Sequence, residues 1–134
     1  MSIATLNPWQ VLDHLHNENV RRAQSRRWQP VVDISESVNH YEIQLELAGV
    51  NPEQVQVEQE NNVLKISGEK QRAEAEGLEY RYRERNTGSF SRSFRLPEDA
   101  DGSAIQAKFE LGVLNVTIPK KVQAQPRKIE IQIS

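Results

Sequence analysis

The chain has no cysteine, so disulfides, thiol nucleophiles and thiolate metal sites are excluded. It has only three histidines. His14 and His16 stand two apart on a predicted helix and point to different sides, a poor arrangement for sharing a metal. His40 sits beside Asn39 at a strand entrance, where it reads as a turn residue. No apolar run approaches the roughly 20 residues that span a bilayer, and no signal-peptide pattern opens the chain. No phosphate-cradling G-x-x-x-x-G-K-[ST] loop and no dinucleotide fingerprint occurs. Carboxylates are plentiful but fall on polar strand faces and in loops. Together these absences predict a non-enzymatic, cofactor-free protein of the cytoplasm, with nothing that indicates a membrane.

Apolar content is also low, at 37% of 134 residues, with a mean hydropathy of −0.71. A chain this polar either carries disordered parts or completes its core with partner chains. The formal net charge of −2 conceals a pattern. Residues 1–30 carry four Lys/Arg against two Asp/Glu, residues 120–134 four against one, and residues 31–119 nine against sixteen. Basic ends flanking an acidic centre fit ends that dock on neighbouring copies, though the same charges would also serve solubility. Arg21, Arg22, Arg26, Arg27 and Trp28 form a candidate nucleic-acid patch, which the acidic middle opposes.

In the first segment, Asn7-Pro8 reads as an N-cap and first-turn pair. Leu6, Trp9, Leu12, His16 and Val20 follow at helical spacing. This predicts a partly helical N-terminal arm over 1–30 whose stripe has no local core and must cover the domain, another subunit or a client protein.

From Pro30 the period changes to two. Alternation marks strands at Val32–Ile34, Tyr41–Leu47, Val55–Val57, Leu64–Ile66, Leu78–Tyr82, Phe90–Leu96, Ile105–Phe109 and Leu114–Ile118. Gly, Pro or Asn stands at most breaks, Gly68 among them. About eight short strands without intervening helices predict an antiparallel β-sandwich over 31–119. The charged stretch Gln71–Gly77 precedes the aromatic strand at 78–83, which suits either pairing with another subunit or an ordinary surface hairpin. After Pro119 a polar tether leads to Ile129, Ile131 and Ile133. These share one side of an extended tail within 120–134, the form of a ligand for a sheet edge or groove.

Arg92 shares its parity with Phe90, Phe94 and Leu96, which places a guanidinium on an apolar strand face. Burial there calls for a carboxylate partner, unless the strand is bulged or at an edge and the side chain reaches water.

Five segments in order resemble the small heat-shock proteins, the α-crystallin-domain chaperones, in their bacterial form. They are Pro30-Val-Val-Asp33-Ile34-Ser-Glu36, Glu46-Leu-Ala-Gly49-Val50, Gly88-Ser-Phe90-Ser-Arg92-Ser-Phe94-Arg-Leu96-Pro97, Ala107-Lys-Phe109-Glu-Leu-Gly112-Val113-Leu114 and the final Ile-x-Ile. Ala48 stands where the family usually has proline. The resemblance implies an immunoglobulin-like sandwich that dimerises by exchanging the strand at about 78–83. Leu78, Tyr80, Tyr82 and Arg92 would then lie at the dimer interface. It also implies that the tail docks in a neighbour's groove between about 54–59 and 104–110, lined by Val55, Val57, Ile105, Ala107 and Phe109. Ile129/Ile131 and Ile131/Ile133 are both permitted docking pairs. The implied activity is ATP-independent holding of unfolding proteins by a homo-oligomer, with Leu6, Trp9, Leu12 and Val20 as client contacts. A monomeric or dimeric adaptor sandwich for one defined partner is the competing expectation.

Overall fold

The computed structural model describes residues 9–11, 28–72, 75–122 and 128–133. Eight antiparallel strands occur among them: β1 (Gln10–Val11), β2 (Val32–Glu36), β3 (His40–Glu46), β4 (Val55–Glu60), β5 (Val63–Lys70), β6 (Gly88–Arg95), β7 (Gln106–Glu110) and β8 (Val113–Pro119). They form two four-stranded sheets, ordered β1-β6-β5-β4 and β2-β3-β8-β7. Helical structure among the described elements is confined to short 3-10 turns at Pro52–Gln54 and Gly102–Ala104. Asn51 and Asp101 cap these turns by accepting from the backbone N–H of Glu53 and Ser103. The Ser103 bonds hold the exposed Asp101 carboxyl below the usual carboxylate range.

The alternation dictates the layers. Tyr41, Ile43, Leu45 and Leu47 point inward from the β3 segment, and Leu114, Val116 and Ile118 from β8. They meet Leu64, Ile66, Phe90 and Phe94 of the other sheet in one core. Register fixes this packing: Tyr41 lies opposite Ile118, Ile43 opposite Val116 and Leu45 opposite Leu114. A one-residue slip would turn every one of these side chains toward solvent.

Gly68 does not end its strand. β5 continues to Lys70, and Gly68 lies opposite Phe90 and Val55. A Cβ at this position would come within 2.6 Å of the Gln54 carbonyl oxygen and 2.8 Å of the Phe90 ring. The glycine is required because an aromatic ring occupies its side-chain space.

Two hairpin turns use left-handed backbone. Asn61 and Asn62 adopt φ of 53° and 63°, and Leu111 and Gly112 adopt 55° and 76°. Asparagine tolerates this region, whereas leucine is strained there. Leu111 is also 96% exposed, so no packing offsets the strain. Leu111→Asn should stabilise the fold by roughly 0.5–1 kcal/mol, read as a rise in the midpoint of thermal unfolding.

The arm departs from the predicted helix where it is described. Gln10 and Val11 pair as a strand with Arg95 and Phe94, and Trp9 is buried between Tyr41 and Phe94. An open sheet edge and a gap sized for an indole outweigh a short helical stripe, because tertiary context overrides weak local propensity. The rest of that stripe, Leu6, Leu12, His16 and Val20, lies outside the described residues, as do His14 and the four patch arginines.

Candidate assembly and client-binding surfaces

Four strands have a single neighbour among the described residues: β1, which pairs only two residues, and the longer β2, β4 and β7. Unpaired edges present rows of N–H and C=O groups that attract further strands.

The first candidate surface is the excursion between β5 and β6. Residues 78–83 form no strand within the single chain, where β5 pairs directly with β6 along eight residue pairs; the expectation of a strand there rests on pairing with a second copy. Leu78, Tyr80 and Tyr82 are exposed. The guanidinium of Arg83 lies 4.1 Å from the Tyr80 ring centre, and that of Arg72 lies 5.5 Å away. Arg72 ties the base of the excursion together by donating to the Arg85 carbonyl oxygen at 3.0 Å. The Glu79–Arg81 ion pair at 3.6 Å is over 80% exposed on both sides and adds little.

The second candidate surface takes in the two edge strands β4 and β7, one from each sheet. Gln59 of β4 lies against Gly102, just before β7. Val55, Val57, Ile105 and Phe109 are half-buried and pack on the core. Ala107 has the same inward parity, opposite Val116, yet is exposed. An inward-facing residue that is exposed marks a gap in the sandwich's cover. Ile129, Ile131 and Ile133 of the tail are 75%, 89% and 95% exposed. Ala107 on the sandwich and the three isoleucines of the tail are thus exposed apolar positions of the same chain.

Arg92 is half-buried on β6 between inward-facing Phe90 and Phe94. One partner is the carbonyl oxygen of Pro30, which accepts from Nη1 at 2.8 Å. The guanidinium also lies 5.5 Å from the Phe94 ring centre. A backbone carbonyl thus joins in satisfying the cation, a partner that neither the expected carboxylate nor the alternative of a side chain reaching water had included.

Two aromatic assignments are corrected. Trp9 does have a local core: it is 8% exposed, with its ring 5.4 Å from Tyr41 and 6.3 Å from Phe94, both edge-on. As placed, it cannot reach a client unless β1 leaves. Trp28 is no stacking platform for bases. Its ring packs 5.4 Å from Phe90, and its Nε1 donates to the Gly88 carbonyl oxygen at 3.0 Å. Lys70 caps it at 5.5 Å. Burial, and then the charge of Arg85, lower the Lys70 ammonium from its ordinary range.

One cluster gave almost no signal in the sequence. The Tyr41 hydroxyl donates to Asp99 Oδ1 at 2.7 Å, and Lys120 Nζ sits 2.7 Å from Glu36 Oε2 and 5.2 Å from the Tyr41 ring centre. Burial above all, then the bond to Asp99, raises the Tyr41 hydroxyl far above its usual range. The only clue was an inward-facing tyrosine, whose buried hydroxyl requires a partner. His40 accordingly serves a turn: Ser37 Oγ lies 2.9 Å from its Nδ1. Among the described residues, no three His, Cys, Asp or Glu side chains gather as a metal site, and no helix is long and apolar enough to cross a membrane.

Comparison with known proteins accounts for this arrangement. Small heat shock protein C2 of Rickettsia felis is 42% identical over 104 residues, covering 77% of this chain and 68% of its own length. Small heat shock protein C4 of the same organism is 38% identical over 103 residues, covering 76% and 63%. The chain thus spans about two thirds of the length of these relatives. Among solved structures, the hspA of Xanthomonas axonopodis superposes with a TM-score of 0.64 at 40% identity, covering 69% of this chain and 94% of that one. A small heat-shock protein of Xylella fastidiosa, described as having a distinct high-order structure, gives 0.66 at 35%, covering 79% and 98%. The profile of the Hsp20/alpha crystallin family matches residues 33–134, and with it the sandwich, the long excursion and the Ile-x-Ile tail find a common explanation: the chain belongs to the Hsp20/alpha crystallin family of small heat shock proteins.

Proposed function

We propose that this protein is an ATP-independent holdase, a homo-oligomer of strand-exchanged dimers that binds unfolding proteins and prevents their aggregation in the cytoplasm. The observation that carries the reading is the exposure of six large apolar side chains on two extended segments. Leu78, Tyr80 and Tyr82 lie on one, and Ile129, Ile131 and Ile133 on the other, beside a sandwich with open edges. In this reading the 78–83 segment adds to the β2 edge of a second copy, placing its apolar row beside Val32 and Ile34. Arg92 takes a carboxylate partner across that dimer interface. The tail enters a neighbour's groove at Val55, Val57, Ile105, Ala107 and Phe109. Leu6, Leu12 and Val20 contact clients, and Trp9 joins them when β1 detaches.

Magnitudes favour a dynamic assembly. Each buried isoleucine contributes roughly 1.5–3 kcal/mol, while ordering each tail residue costs about 1–2 kcal/mol. One tail binds weakly, so many tails acting together hold the oligomer. Filling the groove should undo this: Ala107→Phe is expected to leave folded dimers where the parent chain forms larger oligomers, measured by native mass. Unchanged oligomer mass would remove that flank from the assembly. Holding itself is tested by light scattering from a heat-labile client with near-stoichiometric chain and no ATP. Suppressed scattering supports the reading; full scattering with the chain folded, and a monomeric mass, would favour a single-partner adaptor.

A further inference from the structure

We infer that Tyr41 couples the N-terminal arm to the root of the C-terminal extension, so that loosening either one loosens the other. The ring is 2% exposed and is touched from both segments. From the arm, Trp9 packs edge-on at 5.4 Å and 79°. From the extension, the Lys120 ammonium lies 5.2 Å from the ring centre. The Tyr41 hydroxyl donates to Asp99 Oδ1, and the carbonyl oxygen of the same Asp99 accepts from the Lys121 backbone N–H at 2.7 Å. The Lys120 backbone N–H donates to the Asn39 carbonyl oxygen, two residues before Tyr41 in the chain. Lys120 and Lys121 are therefore held to Glu36, Asn39 and Asp99 around Tyr41, the residue that also receives Trp9.

The physical link is the cation. The Lys120 side chain is only 11% exposed, and its Glu36 partner is 52% exposed. A side chain covered to this extent sets its ammonium against both the carboxylate and the aromatic face. Trp9 helps fix where that face points. If Trp9 withdraws, the ring gains room to tilt, and Lys120 loses part of what compensates its burial. If Lys120 withdraws, water reaches the ring and the Trp9 contact is wetted. Equilibrium coupling of this kind must be reciprocal. It goes beyond holdase action and is measurable on the chain whether or not that action is found.

The test uses the full chain with Trp28→Phe, leaving Trp9 as its one tryptophan. Lys120→Met should raise the fraction of Trp9 open to acrylamide quenching by roughly three- to tenfold. In the parent chain, Trp9→Leu should speed trypsin cleavage after Lys120 and Lys121 by a matching factor; Trp9→Phe replaces it if that variant does not fold. Ile66→Val softens the core from the other sheet and should produce neither response. With Tyr41→Leu in place, both responses should vanish. A response at one segment alone, equal responses to Ile66→Val, or responses that persist without the Tyr41 ring would each overturn the coupling.

Discussion

Trp9→Ala should cost the fold roughly 3 kcal/mol, the low end for truncating a large buried aromatic side chain. For a domain of this size that corresponds to a midpoint lowered by roughly 10 °C. The indole is 8% exposed and packs on Tyr41 and Phe94, so truncation opens a hole at the end of the core. The loss is capped by the energy that docks the arm: once β1 lets go, further truncation of Trp9 costs nothing. β1 pairs only two residues with β6, so among the described residues of the arm the indole supplies most of the docking contact. Trp9→Phe should therefore recover most of the stability, because it restores an edge-on aromatic contact. Thermal unfolding followed by far-UV circular dichroism measures both variants. An unchanged midpoint in Trp9→Ala, together with weaker client capture, would place the indole outside the core in solution and restore it as a permanent client contact.

The Trp9 result also marks where the sequence stopped being legible. Strict alternation at Tyr41–Leu47 and Leu114–Ile118 identifies strands because each inward side chain has nowhere else to go; both proved to be core strands. Val55, Val57, Ile105 and Phe109 pack on the core as their alternation suggests, whereas the exposure of Ala107 follows from its place on an edge strand, which no local pattern reports. Spacing of apolar residues across Leu6, Trp9 and Leu12 fits a helix, but it cannot report that a sheet edge at Phe94–Arg95 lacks a partner. Gly68 looked like a break because a missing side chain looks the same whether the chain turns or a neighbouring ring fills the space. Trp28 sat among arginines in the sequence, yet it packs on Phe90, which is 62 residues away. Contacts of that separation leave no local pattern. The Tyr41–Asp99 and Lys120–Glu36 pairs are invisible for the same reason.

The aromatic segment at 78–83 tests a different limit, because its strand pattern is clear while it pairs with no strand among the described residues of its own chain. Leu78→Asp combined with Tyr82→Asp should convert the protein to a folded monomer. Burying each of these side chains against a second copy contributes roughly 1.5–3 kcal/mol, so losing two per segment removes about 3–6. An exchange between two equivalent copies repeats the loss, giving about 6–12 kcal/mol per dimer. That corresponds to a dissociation constant weaker by at least roughly ten-thousandfold. Buried aspartates facing Val32 and Ile34 would add a desolvation penalty. The fold itself should hardly respond, because Leu78 and Tyr82 are 61% and 84% exposed and belong to no strand of their own chain. Native mass spectrometry at micromolar concentration reads the assembly, and the emission of Trp9 and Trp28 together reads the fold. A monomer with native emission assigns dimerisation to this segment. Dimers that persist would move the interface elsewhere and leave Leu78, Tyr80 and Tyr82 as free apolar surface for clients. A monomer that still suppressed client aggregation would separate holding from assembly, and would locate holding on the arm and the groove.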